Sequence, residues 1–144
     1  MRLLKSILFM CLLSFSLNSF AAAEGWRTLR LYDDQELKSF VRSLLENESI
    51  DKLIELIDIT QNPNFVYKDR GILYWATVLN WEKGVKYLLG LNPDASRAYP
   101  SDEGTNETSL DCARRLGFEK IEQRLYRYQL ATDSKSFENS RRQS

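Results

Sequence analysis

The sequence predicts an all-α chain in which three pairs of short helices are separated by two turn-rich segments. Apolar residues recur at helical spacing through most of its length. Asn-Pro punctuation falls between helical stretches twice, at Asn62-Pro63-Asn64 and at Asn92-Pro93-Asp94. The last two pairs also align with one another at a constant offset, matching Leu73 with Leu110, Ala76 with Ala113, Asn80 with Gly117, Trp81 with Phe118 and Leu88 with Leu125.

The chain opens on a targeting pattern. Arg2 and Lys5 precede an apolar run from Ile7 to Leu13, and Ala21-Ala22-Ala23 supply the small residues that a signal peptidase requires, so residues 1–23 are read as a cleaved secretory signal. Ser14, Ser16, Asn18 and Ser19 interrupt the run well short of the ~20 apolar residues of a membrane span. The mature chain is expected to begin at Glu24, in the periplasm or secreted.

Composition narrows the chemistry. The 20 Lys+Arg balance the 20 Asp+Glu, and loss of Arg2 and Lys5 with the signal tips the balance to the acidic side. Neither nucleic acid nor an anionic membrane is attracted by such a chain. Of the 2 cysteines, Cys11 leaves with the signal, so Cys112 has no internal partner and stability must come from packing. With no histidine there is no histidine base, no Ser-His-Asp arrangement and no His metal site. No glycine-rich phosphate loop occurs. The expectation is no catalytic residue, no metal and no cofactor; a hydrolase whose carboxylates meet only in the fold is the minor alternative.

The first helix is read from "DDQELKSFVRSLLENE", where Asp33 stands as N-cap with Glu36 three residues on, and Leu37, Phe40, Val41, Leu44 and Leu45 form one face. The second, "SIDKLIELIDI", offers Ile50, Leu53, Ile54 and Ile57 as its stripe. "ILYWATVLN" with "WEKGVKYLLGL" makes the second pair, and "TSLDCARRLGFEKIEQRLYRYQ" the third. Asn80 and Gly117 suit the tight turns inside these pairs because both tolerate a left-handed backbone. Helical periodicity turns Cys112 toward the core beside Leu110 and Ala113, and Tyr74 and Trp75 are read as packed. Residues 24–130 form the expected domain, and the polar residues 131–144 a disordered tail. "NES" at 47–49 and "NET" at 106–108 match glycosylation acceptors.

At the third pair the chain resembles the ankyrin-repeat family. Thr108, Ser109, Leu110, Asp111, Ala113 and Gly117 stand where that family has its Thr-Pro-Leu-His-x-Ala opening and its helix-turn glycine, with Ser109 for proline and Asp111 for histidine. The second pair is similar through Leu73, Ala76, Asn80, Val85, Leu88, Leu89, Asn92 and Asp94, and the first pair is degenerate. Departures are Gly84 in a helix interior and Glu122 where the family prefers a branched apolar residue. The resemblance implies a short solenoid of stacked helix pairs with finger-like loops, and protein binding on the concave surface made by the fingers and the first helix of each pair. Tyr67, Lys68 and Arg70 on the first finger, Arg97, Tyr99, Asp102 and Glu103 on the second, and Val78 ahead of the turn at Asn80 are the candidate partner-binding residues, since aromatic and Arg side chains anchor interfaces. The expected partner is another protein, and the unbound chain is expected to be a monomer. Small size, export and the missing catalytic groups point to an inhibitor or immunity protein against a toxic secreted enzyme. An accessory that binds a resident envelope protein is the alternative.

Overall fold

Helix α1 (Asp34–Asn47) opens the computed structural model, which describes residues 33–143; the signal-peptide reading falls outside them. It is followed by α2 (Ile50–Thr60), a hairpin of β1 (Val66–Tyr67) and β2 (Arg70–Gly71), and the pair α3 (Ile72–Val78) and α4 (Glu82–Leu89). A second hairpin of β3 (Tyr99–Pro100) and β4 (Asn106–Glu107) leads into α5 (Ser109–Leu116) and α6 (Glu119–Arg142). The described chain is therefore mostly helical, as the periodicity predicts. Both hairpins are antiparallel, with Val66 opposite Gly71 and Tyr99 opposite Glu107.

Helix boundaries follow local chemistry. The Ser49 hydroxyl accepts from the Lys52 N–H at the start of α2. At α5, Thr108 and Asp111 form a reciprocal capping box: the Asp111 N–H donates to the Thr108 Oγ1 at 3.2 Å, and the Thr108 N–H to the Asp111 Oδ2 at 3.2 Å. Both glycosylation-like patterns thus end on a hydroxyl that caps a helix. Asn80 (φ 54°) and Gly117 (φ 73°) adopt the left-handed backbone expected of them inside the pairs.

Residues from Lys38 onward form one compact unit. Within it α3 packs on α5, α4 on α6, and α2 against α4, while β2 lies beside β3. Val41, Leu44, Leu53, Leu56, Ile72, Ala76, Val85, Leu88, Cys112, Ala113, Ile121 and Leu125 are buried in the core of this unit. The two Asn-Pro turns are tied together, because the Asp94 N–H donates to the Asn64 Oδ1 at 2.7 Å.

Several expectations are corrected. In α2 the buried stripe is Leu53, Leu56 and Ile57, Ile50 is half-buried and Ile54 is exposed: the helix is rotated so that Leu56 takes the inner face in place of Ile54. Residues 131–142, read as a disordered tail, continue α6. No Pro or Gly interrupts this stretch, and the Thr132 and Ser134 hydroxyls donate to the carbonyls of Tyr128 and Leu130 one turn back. Its side chains are exposed, so the extension rests on such local bonds. Gly84, which weakens a helix by backbone entropy, is required by packing, since a Cβ there would run into the ring of buried Trp81.

Candidate functional site

The first finger is the tight turn Lys68-Asp69, whose φ values of 47° and 62° place both residues in the left-handed region that two-residue hairpins of this twist require. It holds the Lys68 side chain out in solvent, with Nζ 5.4 Å from the centre of the Tyr67 ring. Tyr67 itself, proposed from sequence as a binding anchor, is 8% exposed and lies against Trp75 with ring centres 6.2 Å apart. The Trp75 indole N–H donates to the Tyr67 carbonyl at 2.8 Å, locking the finger to α3.

The second finger closes on Ser101 and Thr105: the Ser101 N–H donates to the Thr105 carbonyl at 2.8 Å, and their hydroxyls are 3.1 Å apart. Tyr99, the other aromatic anchor proposed from sequence, is 6% exposed. Its ring stands 5.8 Å from that of Tyr74. A Cβ on Gly71 would lie 2.5 Å from the Tyr99 hydroxyl, so the glycine lets the second finger sit directly on the first. Arg70 joins the two fingers. Its guanidinium stacks 5.4 Å from the Tyr74 ring centre and 5.2 Å from that of Trp75, and donates to the Asp102 carboxylate at 2.6 Å.

Beneath the fingers lies a polar network that sequence reading missed. The Glu107 carboxylate accepts two bonds from Arg115, at 3.0 and 2.7 Å, and one from the Tyr74 hydroxyl at 2.7 Å. Donation from Arg115 is the main reason its carboxyl is held down from 4.5 to about 2, against the opposing effect of burial. Burial pushes the Tyr74 hydroxyl up, and raises the Cys112 thiol to about 11 with help from the Glu107 charge. The thiol is thus buried and protonated, as its helical position suggests. Glu103 also meets Arg115, at 3.7 Å.

The candidate residues therefore separate into two groups. Tyr67, Tyr99 and Arg70 hold the fingers together. Val78, half-buried, packs on the cluster of Tyr74, Tyr99 and Cys112, and its neighbour Leu79 is the one that faces outward. Lys68, Arg97, Asp102 and Glu103 are exposed, with the Arg97 guanidinium 5.5 Å over the Tyr99 ring. Between α1 and the first finger a groove of about 220 Å³ is lined by Arg42, Leu45, Glu46, Tyr67, Lys68, Trp75 and Leu79. Only Tyr67 and Lys68 of these were legible as candidates, because nothing in the spacing of Arg42 and Leu45 foretells that they share a groove with the first finger.

Among the described residues no group of three or more His, Cys, Asp or Glu side chains is placed to hold a metal ion. No described helix is long and apolar enough to cross a membrane. Comparison with known proteins finds no matching family model, no similar curated protein and no similar solved structure.

Proposed function

We propose that this chain is an exported, non-catalytic protein-binding module, built as an ankyrin-like stack, that inhibits or gives immunity against a toxic secreted enzyme. The observation that carries the reading is the joined pair of fingers. Two hairpins, each leading into a helix pair, lie side by side and present Lys68, Arg97, Asp102 and Glu103 to solvent on a base held rigid by Arg70 and Glu107. Display of charged side chains on a base braced by ion pairs favours binding, because little loop entropy remains to be lost on association. The alignment of the α3–α4 and α5–α6 pairs, each turning on a left-handed Asn80 or Gly117, supports the ankyrin-like reading.

The test is capture of the partner by tagged protein in the envelope fraction, followed by calorimetric titration. Lys68→Ala with Arg97→Ala should weaken the complex by about 1 kcal/mol or more while leaving the melting temperature unchanged, as exposed charges at an interface do. Lys86→Ala with Glu119→Ala, on the outer helices, should leave binding intact. Turnover by the purified protein alone, or equal loss of binding from both faces, would refute the proposal. A resident envelope protein as the captured partner would favour the accessory role instead.

A further inference from the structure

Four of the described cations on or near the fingers and helices already have carboxylates: Arg70 meets Asp102, Arg114 meets Glu122, Arg115 meets Glu107 and Lys120 meets Glu82. Arg42 and Lys68 have none within ion-pair distance among the described residues. Both are exposed, and both line the groove between α1 and the first finger. Glu46, one helical turn from Arg42, lines the same groove without closing a bridge to it. The groove floor is apolar and fixed in place: Leu45 and Tyr67 are buried, the half-buried Trp75 is pinned by its indole bond to the Tyr67 carbonyl, and Leu79 is 36% exposed.

From this pairing of a preformed apolar floor with two cations that close no ion pair among the described residues, we infer that the groove takes an acidic peptide segment of the partner, one large apolar side chain seated on Trp75 and Leu79 and flanking carboxylates meeting Arg42 and Lys68. The inference rests on the protein-binding reading and gives that reading a chemistry. A seated apolar side chain supplies most of the attraction by removing apolar surface from water. The carboxylates choose the partner, because exposed charge pairs add specificity and encounter rate more than affinity. A basic segment would place its charges against Arg42 and Lys68 and be rejected.

The probe is a blocked pentapeptide of one leucine with two glutamates on either side, titrated into isotopically labelled protein. Its counterpart carries lysines in place of the glutamates. The acidic peptide should shift the Trp75 indole and the Lys68 and Leu79 amide resonances saturably, with a dissociation constant near about 1 mM, appropriate to a single anchor. Raising the salt from about 50 mM to about 500 mM should weaken binding several-fold, since the pairs are exposed. Arg42→Ala with Lys68→Ala should weaken it about three- to tenfold, from two exposed ion pairs. Lys83→Ala with Lys86→Ala, in the outer groove lined also by Ile50 and Tyr87, should leave it unchanged.

Absence of a saturable shift up to about 10 mM, an equal response to the lysine peptide, or loss of binding only in the outer-groove variant would each overturn the inference. The first three measurements use the unaltered protein, so they decide the matter even if a variant folds poorly. A captured partner that binds through Lys68 and Arg97 while the acidic peptide does not bind would leave the protein-binding reading standing and remove this one. Failure of both experiments removes both.

Discussion

Replacing Glu107 by Gln should reveal how strongly the network beneath the fingers holds the fold. The amide keeps the shape but cannot carry the charge that draws two bonds from Arg115 and one from Tyr74. The carboxyl's fall from 4.5 to about 2 corresponds to about 3 kcal/mol of stability at neutral pH, a large fraction of what a small domain possesses. Because the folded pKa is the lower one, this contribution is fully present above 4.5 and disappears as pH falls through about 2. The stability gap between the parent chain and Glu107→Gln should therefore be about 3 kcal/mol at pH ~7, about 2 kcal/mol at pH ~3.5 and below about 1 kcal/mol at pH ~2.5. Urea unfolding at each pH, followed by tryptophan fluorescence and extrapolated linearly, measures it. Taking the difference between the two proteins cancels the titration of every other carboxylate. A gap that is the same at all three pH values, or below about 0.5 kcal/mol at neutrality, would show that the network is not held by the Glu107 charge.

Leu110→Ala should open a cavity between α3 and α5 and cost ~2–5 kcal/mol in the same unfolding assay. Gly84→Ala, which at an exposed helical site would stabilise, should destabilise by ~1–3 kcal/mol because the new methyl meets the Trp81 ring, and a gain in melting temperature would contradict that packing. Removing residues 134–144 should leave the unfolding free energy within about 0.5 kcal/mol, because this part of α6 is exposed, while circular dichroism should register the lost helix.

Local chemistry was legible in the residues themselves. The helix pairs, their left-handed turns at Asn80 and Gly117, and the inward position of Cys112 follow from periodicity and backbone preference, which operate over a few residues. Thr108 and Asp111 carry a capping-box spacing that sequence reading could have used and did not. Where two faces of a helix compete in hydrophobicity, as Ile54 and Leu56 do in α2, the sequence offers no decision; the neighbouring helix makes it by covering one of them. Residues 131–142 misled in the other direction, since polarity excludes a core but not a helix whose Ser and Thr hydroxyls bond within it.

The sequence by itself determined the helical segments ahead of residue 131, the turns at Asn80 and Gly117, and which charges and aromatics the fingers carry. Tertiary structure alone decided what those side chains do. Tyr67 and Tyr99 read as binding anchors because aromatic residues on loops are, in composition, indistinguishable from interface residues, yet Tyr67 is buried against Trp75 of α3, and Tyr99 against Tyr74 and the bare face of Gly71. Glu107 acquires its lowered pKa only because α5 brings Arg115 to it and α3 brings Tyr74 across from far along the chain. Arg42 and Lys68 become neighbours of one apolar groove only when α1 is laid beside the first finger. Such contacts depend on the packing of whole elements, a long-range property that residue spacing along one chain does not encode.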